Sequence, residues 1–205
     1  MSALLRVARC VRPACGAVRA RGLSSSQSAL PSILAEEIDG EKANLAVDEK
    51  LNAAIAELQA RGGSIAHDKG SGRVQVTLSK GVVAQFDCRD VATEEDESNE
   101  GSIEFDVKVT NDAGDRLIFE CLAGDAVQID GVAFYKSAAA DDDKDIYDGP
   151  KFDELDPRVQ AAFYSYLDER GVDPDLCGFI NSYANHKEVV EYVNWLENVQ
   201  AFVTK

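Results

Sequence analysis

Over residues 73–135 apolar and polar side chains alternate one for one in short runs, and beyond Pro157 the apolar residues recur every three or four positions instead. A period of two places a strand's apolar groups on one face, and a period near 3.6 gathers them into a stripe along a helix. The first half must therefore form strands with one face to cover, and the second half supplies helices with a stripe to bury. That combination predicts an α+β architecture with helices gathered on one side of an antiparallel sheet.

The runs can be followed individually. Val74, Val76 and Leu78 alternate with Gln75 and Thr77, then Val82, Ala84, Phe86 and Cys88 alternate with Gln85, Asp87 and Arg89. Lys80-Gly81 between them predicts a hairpin. Ile103, Phe105, Val107 and Val109 alternate with Glu104, Asp106 and Lys108, and Asn111-Asp112-Ala113-Gly114 turns the chain toward Leu117, Phe119 and Cys121. Residues 127–129 and 132–135 flank Asp130-Gly131, a hairpin turn or a bulge within one strand. The bulge is preferred, because a turn would leave arms too short for ordinary strands. A weak strand over 64–68 and another near Ile146 and Tyr147 bring the expected total to six or seven.

One helix is expected over residues 41–60, where Leu45, Val47, Leu51, Ala54, Ile55 and Leu58 form a stripe ended by Arg61-Gly62-Gly63. Asp156-Pro157 and Asp173-Pro174 each read as a capping aspartate followed by a first-turn proline. They should open a short helix stopped at Gly171 and a longer one running to the C-terminal end.

Charge decides which partners such a fold can take. Through Ala35 the chain has five arginines (Arg6, Arg9, Arg12, Arg19, Arg21), no lysine and no acidic residue, a mitochondrial transit-peptide composition. We expect residues 1–30 to be a cleaved transit peptide and 41–205 a single acidic domain in the mitochondrial matrix. Losing five of the 21 basic residues leaves 16 against 37 acidic ones, so the formal charge deepens from −16 to −21. Such a surface repels phosphate backbones, which disfavours direct nucleic-acid binding, and attracts basic partners with salt-sensitive strength. Two segments concentrate the charge: Glu94, Glu95, Asp96, Glu97 and Glu100 in one, and Asp141, Asp142, Asp143 and Asp145 in the other. They are the candidate partner-binding residues. Asp141 to Asp145 does not match the EF-hand spacing, and no metal site is assigned to either segment.

Motifs of catalysis are missing from the sequence: it holds no phosphate loop, dinucleotide fingerprint, zincin motif or nucleophile elbow. No cofactor is expected. Cys88, Cys121 and Cys177 sit among apolar neighbours without CxxC spacing and read as buried free thiols. His67 reads as a surface pair with Asp68, and His186 as a solvent-facing or interface residue. Trp195, Tyr192 and Phe202 could stack bases, but within a helical stripe they are better read as core or subunit contact. With Leu51, Leu58 and Val199 they make up the candidate oligomer interface. No apolar run is long enough to cross a bilayer.

The C-terminal third carries a more specific pattern. Residues 156–172 contain a short helix followed by Glu169-Arg170-Gly171-Val172, and residues 185–203 contain Lys187-Glu188, Tyr192, Trp195-Leu196 and Phe202-Val203. This ending resembles the mitochondrial acidic matrix protein family, also called the mitochondrial glycoprotein family, which includes the complement component 1 Q subcomponent-binding protein. The resemblance implies a doughnut-shaped homotrimer with seven consecutive antiparallel strands per subunit, one N-terminal and two C-terminal helices, and an acidic face around a central channel. It also implies a non-enzymatic adaptor or chaperone that binds basic RNA-binding or ribosome-associated proteins in RNA processing or editing, ribosome biogenesis or translation. The alternatives are divalent-cation or direct RNA binding, and, more remotely, an enzyme using carboxylates such as Glu120 or Asp130.

Overall fold

The computed structural model describes residues 29–45, 49–91, 101–137, 147 and 149–205. Two helices, α1 (Leu30–Leu45) and α2 (Glu49–Ala60), precede six strands: β1 (Ser64–His67), β2 (Arg73–Ser79), β3 (Val82–Val91), β4 (Ile103–Thr110), β5 (Arg116–Ala123) and β6 (Val127–Tyr135). A single 3-10 turn, Phe152–Glu154, leads into α3 (Pro157–Asp168) and α4 (Pro174–Val203). The strands form one antiparallel meander in sequence order.

The alternation locates the core. Val76 pairs with Ala84, Ala84 with Val107, Val107 with Phe119 and Phe119 with Val132, a row across five strands in which the first four residues have no exposed surface. The α4 residues Leu176, Cys177, Phe179, Ile180, Tyr183 and Ala184 bury this face, joined by Leu167, Val172, Phe152 and Leu51. Phe119 meets Phe163 edge-on at 5.7 Å and stacks on Tyr166 at 6.2 Å, which ties α3 to the sheet centre. Both proline-opened helices are capped as their sequences predict. Asp156 accepts from the Arg158 N–H and Asp173 from the Leu176 N–H, each at 2.9 Å.

Asp130-Gly131 is a bulge inside one strand. Glu120 pairs with Gly131 and Cys121 with Ile129, so Asp130 is the extra residue. A Cβ on Gly131 would lie 2.8 Å from Glu120 Oε2, so the missing side chain leaves room for that carboxylate.

Two expectations change. The N-terminal region holds two helices rather than one over 41–60, because its apolar residues serve two different targets. Leu34 and Ile38 of α1 join Leu196 in a small separate core, packed by Tyr192, Val199 and Val203, whereas Leu51, Ala54, Ile55 and Leu58 of α2 face the main core. The described sheet has six strands; of the pair expected to mark a seventh, Ile146 lies outside the described residues and Tyr147 is not in a strand. The acidic segments and residues 1–28 of the expected leader also lie outside them, whereas Leu30, its last residue, opens α1.

With 30 residues, α4 is about 45 Å long at 1.5 Å per residue. Its N-terminal half lies on the sheet, and its C-terminal end forms an arm with α1.

Truncating Phe119 to Ala should cost about 3–5 kcal/mol in urea unfolding, since its cavity adjoins rigid strands. Asp173→Ala should cost about 1 kcal/mol through the lost cap alone.

Candidate acidic interaction face

The polar positions of the strands form the other face of the sheet, which the helices leave uncovered. One row reads Gln75, Gln85, Asp106, Glu120 and Gly131 across β2 to β6. Asp106 and Glu120 are therefore direct cross-strand partners of like charge, an arrangement that costs stability unless a cation answers it. Partial burial pushes the Asp106 carboxyl up from the ordinary carboxylate range, and Glu120 opposite pushes it further.

Beside this row the ladder opens. Phe86 pairs with Phe105 and Val91 with Ile103, so Asp87, Cys88, Arg89 and Asp90 stand on β3 against Glu104 alone on β4. The irregularity makes one side of a hollow of about 720 Å³ whose charged lining is Asp68, Arg73, Asp87, Asp90, Glu104 and Asp106. Asp87, only 6% exposed, is held by Arg89 at 2.8 and 2.6 Å, and that hydrogen-bonded guanidinium keeps its carboxyl below the usual range. A Cβ on Gly72 would fall 2.2 Å from Asp87 Oδ1, so this glycine lets the carboxylate sit against the β1–β2 turn. With Asp87 and Arg89 neutralising each other, the remaining lining has four carboxylates against one guanidinium.

The opposite wall of the hollow is tied to α4. Lys187, 2% exposed, donates to His67 Nδ1 at 3.1 Å, to the Asp68 carbonyl at 3.0 Å and to Glu191 Oε1 at 2.5 Å. Glu191 Oε2 accepts from the Gly70 N–H at 2.8 Å and from Asn194 at 3.4 Å. Burial would push the Glu191 carboxyl up; the hydrogen bonds from Lys187 and Gly70 outweigh it and hold the group below its usual range.

Each residue singled out by sequence has a definite position or lies outside the description. Glu94, Glu95, Asp96, Glu97, Glu100, Asp141, Asp142, Asp143 and Asp145 lie outside the described residues. Leu51 belongs to the protomer's own core and Leu58 is half-buried against it. Tyr192 and Val199 are half-buried on the α1–α4 core, and Tyr192 stacks on Trp195 at 6.2 Å. Trp195 and Phe202 are 57% and 80% exposed, and Leu30 and Ile33 of α1 are also exposed, so the arm carries outward apolar surface, as do Phe134, Tyr147 and Val159 elsewhere. His67 does not simply pair with Asp68: its ring meets the buried Lys187, a contact foreshadowed only by the i,i+4 spacing of Lys187 and Glu191. Cys88, Cys121 and Cys177 are buried free thiols. Burial pushes all three up, Cys177 to about 11, so none is a ready nucleophile at neutral pH.

Among the described residues no cluster of three or more His, Cys, Asp or Glu is placed to hold a metal ion, and no helix is long and apolar enough to cross a membrane.

An antiparallel meander backed by helices on one side, with an open carboxylate-bearing face on the other, defines an α+β protein with an acidic sheet face. The chain belongs to the mitochondrial glycoprotein family, whose sequence model matches residues 34–203. It is 53% identical over 57 residues to the mitochondrial acidic protein mam33 of Schizosaccharomyces pombe, an alignment covering 28% of this chain and 21% of that protein. It is 36% identical over 107 residues to an uncharacterised mitochondrial protein of Arabidopsis thaliana, At2g39795, covering 52% of this chain and 43% of the relative. The chain thus spans less than half the length of the curated relatives it matches. These relatives are mitochondrial, and the family is named for acidic proteins and glycoproteins rather than for an enzyme activity.

Two solved structures share the fold at a TM-score of 0.65, each alignment covering 85% of this chain. One is a Leishmania major protein of unknown function described as a sequence homologue of human p32, at 19% identity and 97% coverage of that chain. The other is the Trypanosoma brucei p22 protein, at 22% identity and 96% coverage.

The Asp106 carboxyl sets a signed pH test. A raised folded-state value means the charged form is disfavoured in the native state, a cost present above that value and relieved as pH falls through it. Asp106→Asn should raise the thermal midpoint at pH 7, and the gain should shrink as pH falls through the Asp106 titration followed by carboxyl NMR.

Proposed function

We propose that the chain is a non-enzymatic acidic adaptor or chaperone of the mitochondrial matrix that binds basic RNA-associated proteins. In that role it modulates RNA processing or editing, ribosome biogenesis or translation. The observation that carries this reading is the open sheet face, where Asp106 and Glu120 stand opposite each other beside a hollow with a carboxylate-rich lining. Like charges held on neighbouring strands are relieved by an incoming lysine or arginine, which makes a basic protein segment the natural ligand. The charge of −21 left after the expected loss of the leader extends the attraction beyond the hollow, and the acidic segments at 94–100 and 141–145 add to it. The arginine-rich leader and the mitochondrial relatives support the matrix as its location.

We further read the chain as a homotrimer assembled through the arm, where Trp195 and Phe202 expose aromatic surface that a lone protomer leaves wet. A seventh strand per subunit belongs to the same reading.

Two measurements decide these points. Pull-down from matrix extract at two ionic strengths should recover basic proteins at low salt and lose most of them at high salt. Recovery of no basic protein, or recovery indifferent to salt, removes the adaptor reading. The quadruple variant Glu104→Gln, Asp106→Asn, Glu120→Gln, Asp130→Asn should weaken that capture at least about tenfold, equivalent to roughly 1.4 kcal/mol. Native mass measurement of the mature protein should give three copies and a start near residue 30. Trp195→Ala with Phe202→Ala should shift it to the protomer without unfolding it.

A further inference from the structure

The buried lysine of α4 has a geometry that plain packing does not require. An ammonium has three N–H donors and no acceptor, and all three donors of Lys187 are used: one by its own helix at Glu191, two by the end of β1 at His67 and Asp68. Because an ammonium can only donate, the His67 Nδ1 facing it must be unprotonated, so this contact exists only with a neutral imidazole. We propose that Lys187, Glu191 and His67 form a proton-operated latch: with neutral His67 it holds the 68–71 turn against α4, and protonation of His67 releases the turn and opens that wall of the acidic hollow.

The asymmetry of burial decides which part moves. Lys187 is 2% exposed and anchored in the middle of a 30-residue helix, so it has no route to water. His67 is exposed and belongs to β1, a four-residue edge strand paired on one side only. A second positive charge about 3 Å from the buried ammonium is relieved by moving the short edge strand. Its departure also takes the Asp68 carbonyl from Lys187, since both acceptors sit on adjacent residues. The Gly70 N–H then leaves Glu191, the last tie between turn and helix.

The groups around His67 are consistent with this direction. From α4 it faces Lys187, Glu191 and the Tyr183 ring at 6.2 Å, with His186 beyond that ring at 6.3 Å. Along its own strand comes Asp68, whose carbonyl rather than carboxylate engages the lysine. From β2 and β3, Arg73 and Asp87 share the hollow with it. Glu191 is held below the ordinary carboxylate range and so stays ionised over the pH span of the latch.

The latch stands on its own geometry; only its effect on capture of basic partners rests on the reading of the acidic face. The test therefore reads the turn itself. Amide hydrogen exchange of Gly70 and Ser71, expressed as protection relative to the unfolded rate, is followed in the full chain from about pH 7.5 to about pH 5.5, across the imidazole range. Wild-type protection should fall about tenfold over that span while the β4 amides keep theirs. His67→Gln keeps a side-chain acceptor without a titrating group and should stay protected throughout. Lys187→Met should lose the protection already at the higher pH, and lose its pH dependence with it. Protection that does not change in wild type, or that changes equally in His67→Gln or Lys187→Met, overturns the proposal.

Discussion

Covering one face of a six-stranded meander is the constraint from which the rest of the structure follows. The row Val76, Ala84, Val107 and Phe119 has no exposed surface, and the apolar stripe of α4 is what excludes water from it. At roughly 25 cal/mol for each Å² of apolar surface removed from water, this burial outweighs the individual polar contacts of the described residues. Once α4 lies on the sheet, α3 is brought over Phe119 through Phe163 and Tyr166, and α2 closes the side with Leu51.

Covering one face leaves the other free, and the period of two delivers Glu104, Asp106 and Glu120 to it, while the break in the β3–β4 ladder adds Asp90 to the hollow. Acidity on this protein is therefore a directed property, with Glu104, Asp106 and Glu120 displayed on a rigid sheet in place of a diffuse cloud of charge. The same long helix that buries the core also reaches the acidic hollow: Lys187 and Glu191 fasten the turn that walls the hollow, and one turn further on Trp195 faces outward on the arm. Core, hollow and arm thus meet on α4.

Six strands and the bulge at Asp130 were legible because each depends on side-chain alternation and local turn residues. The capped starts of α3 and α4 were legible for the same reason, since Asp156 and Asp173 act on N–H groups two or three residues away. Less of the candidate site could be read. Asp106 and Glu120 appear in sequence as ordinary polar positions of two strands; that they stand opposite is a matter of register. The dense runs at 94–100 and 141–145, by contrast, are conspicuous in composition. Leu51 and Trp195 look alike on a helical wheel, yet one is core and the other is exposed.

By itself the sequence determined six strands, the two C-terminal helices, the family, the acidity and a leader-like N-terminal composition, because these depend on composition and on residues close together along the chain. Only the tertiary structure decided that the N-terminal apolar residues divide between two cores, that β3 opens opposite Glu104, and that His67 meets Lys187 from 120 residues away. These depend on which faces find each other when the chain closes. A burial pattern states that a face must be covered without stating by what.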